Sequence, residues 1–247
     1  MAPPLLEIDR LCHGYDSGKT GVFDVSMTVA RDDFILLAGK NGCGKTTLVR
    51  HFNGLLTPDF GRVLLNGQDI KKDITRARRR IGMVFQDPDT QIIGDTVFEE
   101  TAFGLENLNM DRDEINDRVC RTLDRLGLKN MHHRNPATLS GGEKRRLAIA
   151  GILVMEPELI VFDEPFANLD YPSVLALVRL CRELHRSGHA IVMTTHDVAP
   201  VIGLATRMVI MDKGRIMEQG DPLALAATLE AHGVKNPFTP VAEAWSL

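Results

Sequence analysis

The stretch that most restricts what this chain can become is residues 34–54. A short, continuous apolar run, Phe34 to Ala38, breaks into Gly39-Lys40-Asn41-Gly42-Cys43-Gly44-Lys45-Thr46-Thr47, and residues 45–54 then read as a helix. Strand, glycine loop and helix in that order are the context required by the pattern G-x-x-x-x-G-K-[ST]. The chemistry explains the residue types. Gly39, Gly42 and Gly44 let backbone N–H groups approach phosphate oxygens closely, and the helix that follows points its positive end at the same charge. Lys45 is placed to reach β and γ oxygens and the Thr46 hydroxyl to hold Mg²⁺, with Lys40, Asn41 and Thr47 completing the loop. Cys43 occupies a variable position that suits a small residue. A glycine-rich turn before an ordinary helix is the plainer alternative for the loop by itself.

Further apolar runs at 63–65, 81–85, 159–162, 190–194 and 208–211 read as strands, mostly apolar throughout, as buried parallel strands are. Alternation at Leu6 and Ile8, then at Val25, Met27 and Val29, with a turn at 16–18, suggests an antiparallel entry sheet. Between Pro88 and Glu156 the periodicity becomes helical: Ile115, Val119, Leu123 and Leu126 share one face, Asp111 is a candidate N-cap and Gly127 a candidate stop. Residues 212–214 form a turn, and 221–232 read as a helix with Pro222 in its first turn. The fold class is α/β: a layered core with an antiparallel β subdomain and an inserted helical subdomain.

Two later motifs add chemistry. Asp163 ends an apolar run, so its carboxylate should emerge at the carboxyl end of a central strand, where open α/β sheets bind ligands. There it would hold Mg²⁺ through water, and Glu164 could polarise an attacking water, because phosphoryl transfer asks mainly for positioning and electrostatics. Two adjacent acids are also a common way to end a strand. Ser140 and Glu143 in Leu-Ser-Gly-Gly-Glu form a capping box ahead of an amphipathic run, which explains the pair structurally. Ser140, Gly141 and Gly142 would equally expose a helix N-terminus able to bind a γ-phosphate. The residues alone leave both readings open.

Bulk properties remove several function classes. A net charge of −4 gives no global basic field for nucleic acid. The longest apolar stretch, 147–155, is far short of the roughly 20 residues a spanning helix needs, and the N-terminus lacks the charged and apolar regions of a secretory signal. Cytosolic residence is the expectation. Cys12, Cys43, Cys120 and Cys181 show no metal-ligand or disulfide spacing and are expected as free thiols. The arginines at 76 and 78–80 read as an exposed helix end, and His132 and His133 have no ligand spacing.

Taken together, GKNGCGKT, LSGGE and LIVFDE resemble the ATP-binding cassette family, and the likeness runs from about Leu5 to the region of Asp221, most of the chain. The resemblance implies a P-loop NTPase core of the RecA-like type, a single ATPase domain over 1–247 with a helical signature subdomain at 88–156, and a C-terminal helical extension at 221–247. It implies ATP with Mg²⁺, Lys45, Glu164 and His196 in catalysis, and Gln86 as the glutamine that contacts Mg²⁺ together with Thr46 and Asp163. Tyr15 lies where the family sets an aromatic ring against adenine; packing is its alternative. Asn168, Leu169 and Asp170 resemble the D-loop. The signature has Glu143 where glutamine is frequent, and Phe166 and Asn168 replace residues more usual beside the D-loop.

In this family the signature of one subunit, here Ser140 to Glu143, faces the phosphate loop of another. A homodimer, or a heterodimer with a related ATPase, is therefore implied. The segment FQDPDTQIIGDTVFEETAFGLENL looks most like ATPase subunits of energy-coupling factor importers, which take up vitamins, cobalt or nickel through integral membrane coupling and substrate-binding subunits. Glu99 and Glu100 match the acids that meet a membrane subunit; a solvated helix face is their alternative. The implied place is peripheral, on the cytoplasmic face of the membrane. A conventional cassette importer or exporter, and a soluble non-transport ATPase of the family, are the competing readings.

Overall fold

The computed structural model describes residues 3–15 and 20–239; the turn expected at 16–18 and residues 240–247 of the expected C-terminal extension lie outside them. Two long strands, β1 (Leu6–Tyr15) and β2 (Thr20–Val29), pair antiparallel, and β3 (Phe34–Ala38) leads into the glycine loop and α1 (Lys45–Arg50). β4 (Phe60–Leu65) and β5 (Gln68–Asp69) complete a four-stranded antiparallel sheet in the order β2-β1-β4-β5. The apolar run at 63–65 therefore belongs to the entry sheet and not to the parallel core, because it pairs antiparallel with β1.

After α2 (Ile74–Arg80) come β6 (Ile81–Val84) and three helices, α3 (Val97–Glu106), α4 (Arg112–Arg125) and α5 (Gly141–Leu153). β7 (Leu159–Asp163), α6 (Tyr171–Arg186), β8 (Ala190–Thr195), β9 (Arg207–Asp212), β10 (Arg215–Gly220) and α7 (Pro222–Leu225) follow. The second sheet runs β10-β9-β3-β8-β7-β6, with β10 antiparallel to β9 and every other pairing parallel. Among the described residues no helix is long and apolar enough to cross a membrane.

The parallel strands are apolar throughout because both faces are covered. Phe34, Leu36 and Ala38 of β3 pack into one cluster with α3, α4, α5 and α6, while Ile35 and Leu37 pack into a second with α1 and the antiparallel sheet. All five are fully buried, at roughly 1.5–3 kcal/mol for each large side chain, so a register slip in β3 would be felt on both sides.

Most helical signals hold. Asp111 accepts from the amides of Asp113 and Glu114 at the start of α4, whose Ile115, Val119 and Leu123 are buried, and Gly127 follows at φ 68°. Two helices differ from expectation. The helix read over 45–54 stops at Arg50, where His51 and Phe52 turn to i→i−3 bonds and Gly54 sits at φ 68°. The helix read over 221–232 divides into α7 and a 3₁₀ turn, Leu229–His232. Between them the Thr228 hydroxyl donates to the Leu225 carbonyl (3.1 Å), and His232 contacts Glu218 of β10 (3.0 Å), so side-chain bonds replace a continuous ladder.

Candidate functional site

β3 and β7 lie one strand apart with β8 between them, so their carboxyl ends bring the glycine loop and the acid pair together. The result is a cavity of about 390 Å³ lined by Tyr15, Thr20, Gly21, Asn41, Gly42, Gly44, Lys45, Thr46, Thr47, Gln86, Glu164 and His196.

Lys45 is buried and its Nζ donates to the carbonyls of Gly39 (2.6 Å) and Lys40 (3.3 Å), which curls the loop around the ammonium. A Cβ at residue 39 would come within 2.5 Å of both Cys43 Sγ and the Met211 carbonyl, so only glycine fits that close approach. Gly42 and Gly44 have φ of 79° and 106°, the left-handed region. Lys40 and Cys43 are off the wall. Lys40 pairs with Asp212 at 3.0 Å and thereby holds the Asp212 carboxyl below its usual range. Cys43 is buried in the apolar cluster under α1, and burial pushes its thiol up.

Asp163 accepts hydrogen bonds at one oxygen from the hydroxyls of Thr46 (2.9 Å) and Thr194 (2.7 Å). Glu164 reaches the other way: Oε1 is 3.1 Å from Lys45 Nζ, and Oε2 accepts from His196 Nδ1–H at 2.9 Å. Its backbone is in the left-handed region at φ 46°, a conformation that costs a non-glycine residue about 1–3 kcal/mol and persists only where the surroundings fix it. Thr194 supplies that restraint, because its hydroxyl accepts from the Glu164 amide (2.9 Å) and its carbonyl accepts from the same N–H (3.2 Å). Thr194 was not singled out from sequence; the available signal was a hydroxyl pair at the end of an otherwise apolar strand.

Tyr15 stands at the cavity rim, partly exposed, with the His13 ring edge-on at 4.9 Å. Ser140, Gly141, Gly142 and Glu143 are not on this wall. They start α5, where the Glu143 amide donates to Ser140 Oγ (3.3 Å) and the Ser140 amide to Glu143 Oε2 (2.7 Å). A Cβ on Gly141 would meet nothing within 4 Å. Of the three residues after Ala167, Asn168 is exposed at φ 60°, Leu169 half-buried, and Asp170 caps α6 by accepting from the Ser173 amide at 3.0 Å. Glu99 is exposed on the first turn of α3, in a capping box with Thr96, whereas Glu100 is 7% exposed and accepts from the amides of Ile93 (2.7 Å) and Gly94 (2.8 Å).

The profile of a family described as ABC transporter matches residues 22–167, more than half of the chain. The chain belongs to the ABC transporter family. This ABC ATPase is 37% identical to an energy-coupling factor transporter ATP-binding protein, EcfA, of Methanothermobacter thermautotrophicus, across 90% of the chain and 72% of the relative. It is 42% identical to a cobalt import ATP-binding protein, CbiO, of Syntrophus aciditrophicus, across 88% of the chain and 79% of the relative. Its fold superposes on cbiO1 from Clostridium perfringens, part of the ABC transporter complex cbiONQ, with a TM-score of 0.82 and 36% identity over 92% of each chain. The α/β P-loop fold expected from sequence is borne out, and the ABC ATPase is an ATP-binding ATP hydrolase.

Proposed function

We propose that this ABC ATPase powers uptake of a small nutrient, a vitamin or a transition-metal ion, through separate membrane subunits of an energy-coupling factor type transporter. The observation that carries the reading is its likeness to EcfA and CbiO proteins over about nine-tenths of the chain. ATP would lie with adenine against Tyr15 and its phosphates over Asn41 to Thr47. Lys45 would neutralise β and γ oxygens, His196 would contact the γ-phosphate, and Glu164 would orient and polarise the attacking water. The Thr46 hydroxyl, the Asp163 carboxylate and Gln86 are hard oxygen donors of the kind that hold Mg²⁺ together with phosphate oxygens and water. No cluster of three or more His, Cys, Asp or Glu side chains suited to a metal occurs among the described residues, which favours a metal that arrives with the nucleotide. Bound there, Mg²⁺ would offset developing charge on the phosphoryl oxygens.

The signature residues Ser140 to Glu143 would face the phosphate loop of a second subunit, in a homodimer or a pair with a related ATPase, and Asn168, Leu169 and Asp170 would form the contact between sites. Support comes from Gly141, which this chain's own packing does not require to be glycine. Residues 88–156 would act as a helical subdomain, residues 221–247 as a C-terminal extension, and Glu99 and Glu100 at the start of α3 as the membrane-subunit contact. Glu99 would meet the partner's cation, while Glu100 shapes the loop before it. The chain would sit peripherally on the cytoplasmic face. To test this, tagged Glu164→Gln protein is purified from detergent-solubilised membranes of the native host and its partners identified by mass spectrometry. Recovery of a long-helix coupling protein and a small integral binding subunit is expected. A conventional permease pair, or soluble partners alone, would overturn the energy-coupling factor reading.

A further inference from the structure

A second cavity of about 420 Å³ lies between the end of α4, α5 and α6, and shares no wall residue with the phosphate-loop cavity. Four arginines line it, Arg125, Arg145, Arg146 and Arg179, against one carboxylate, Glu183. Such a concentration of one sign is unexpected in a chain whose net charge is −4. Arg118 and Arg121, elsewhere on α4, are each paired with an acid one turn away, at 2.7 Å in both cases. Among the described residues none of the four cavity arginines has such a partner within 4.0 Å.

Arg145 is the extreme case. It is 6% exposed, its Nη2 donates to the carbonyls of Gln86 (3.1 Å) and Ala167 (3.3 Å), and its Nε and Nη1 have no hydrogen-bond partner among the described residues. A buried cation with unused donors is costly, and Asp87, the acid of this chain that acts on it, lies beyond ion-pair distance. The rest of the wall is apolar, with Leu126, Ile149 and Leu177 buried. Arginine forks match phosphate oxygens, and a cavity of this size with an apolar floor and a few convergent polar groups suits a small organic ligand.

We propose that this cavity is a second anion site, taking an organic phosphate whose phosphoryl group is held by the arginines and whose apolar body lies on Leu126, Ile149 and Leu177. The site stands apart from this chain's phosphate-loop cavity, borders the proposed subunit contact at Gly142 and Leu169, and does not rest on the transport reading. A lipid headgroup and a free metabolite share this chemistry.

Hexyl phosphate is titrated calorimetrically into the full-length protein and three variants. The expected result is one site per chain, retained in Lys45→Ala, in which the phosphate loop is disabled, and weakened about tenfold or more in Arg125→Gln/Arg179→Gln. Both of those arginines are exposed, so the double variant keeps the core intact, and an unchanged melting transition checks this. Glu183→Gln removes the one opposing charge and should tighten binding. Flotation with phosphatidylcholine vesicles containing phosphatidic acid, lost in the double variant, would assign the ligand to lipid; hexyl phosphate binding without flotation would assign a soluble phosphate. Absence of binding, equal binding by the double variant, or loss in Lys45→Ala would overturn the proposal.

Discussion

Glu164 carries three constraints at once: a left-handed backbone, an ion pair to the phosphate-loop lysine, and a hydrogen bond from His196. Glu164→Gln keeps the shape and removes the charge. Hydrolysis should fall about 10²–10⁴-fold, the usual contribution of a positioned general base, while nucleotide binding persists. Steady-state turnover measured beside equilibrium ATP binding checks this, and a near-normal rate would remove Glu164 from the chemistry. His51, at the end of α1, offers a test by pH. It is fully buried, its Nδ1–H donates to the Thr47 carbonyl (2.7 Å), and burial pushes its pKa below the ordinary value of about 6.5. Its neutral form is the one the fold accepts, so the unfolded chain binds the extra proton first. Stability is therefore fully present above about pH 6.5 and declines as pH falls from there toward the lower folded value. His51→Gln should flatten that part of a urea-midpoint profile, and an unchanged slope would contradict the assignment. Residue-scale legibility followed spacing along the chain. Lys45, Asp163 and Glu164 were readable because their neighbours in sequence announce them and His196 only through the family resemblance, whereas Thr194 and Arg145 were not, because their partners come from remote segments.

At the scale of elements, α4 was readable because its cap, its apolar face and its stop are all local. The C-terminal helix was not, because the bonds that divide it run to Glu218 on β10. The start of α3 joins the two cases. Thr96 and Glu99 form a box that sequence can suggest, but the inward turn of Glu100 onto the amides of Ile93 and Gly94 depends on a loop path that no periodicity encodes. Glu100→Ala strands two amide donors and should cost about 1–3 kcal/mol, seen as a lowered melting transition and faster hydrogen exchange at Ile93 and Gly94. Unchanged protection at those two positions would mean that the carboxylate does not organise the loop.

For the whole molecule, the nucleotide cavity and the signature turn occupy separate places on one chain. If active sites form between chains, mixing decides it. Lys45→Ala protein and Ser140→Arg protein should each be inactive, yet their mixture should hydrolyse ATP, since a mixed pair rebuilds one intact combination. A mixture as inactive as its parents would put the whole reaction within one chain. The sheet adds a mechanical property to this arrangement. β3 turns alternate side chains into two apolar compartments and ends at the glycine loop. It thus serves as a bulkhead: along this strand, a disturbance in the helical layer reaches the phosphate cradle by shifting side chains clamped from both sides. A tilt of the helical layer is thereby met by the second compartment before it reaches the cradle.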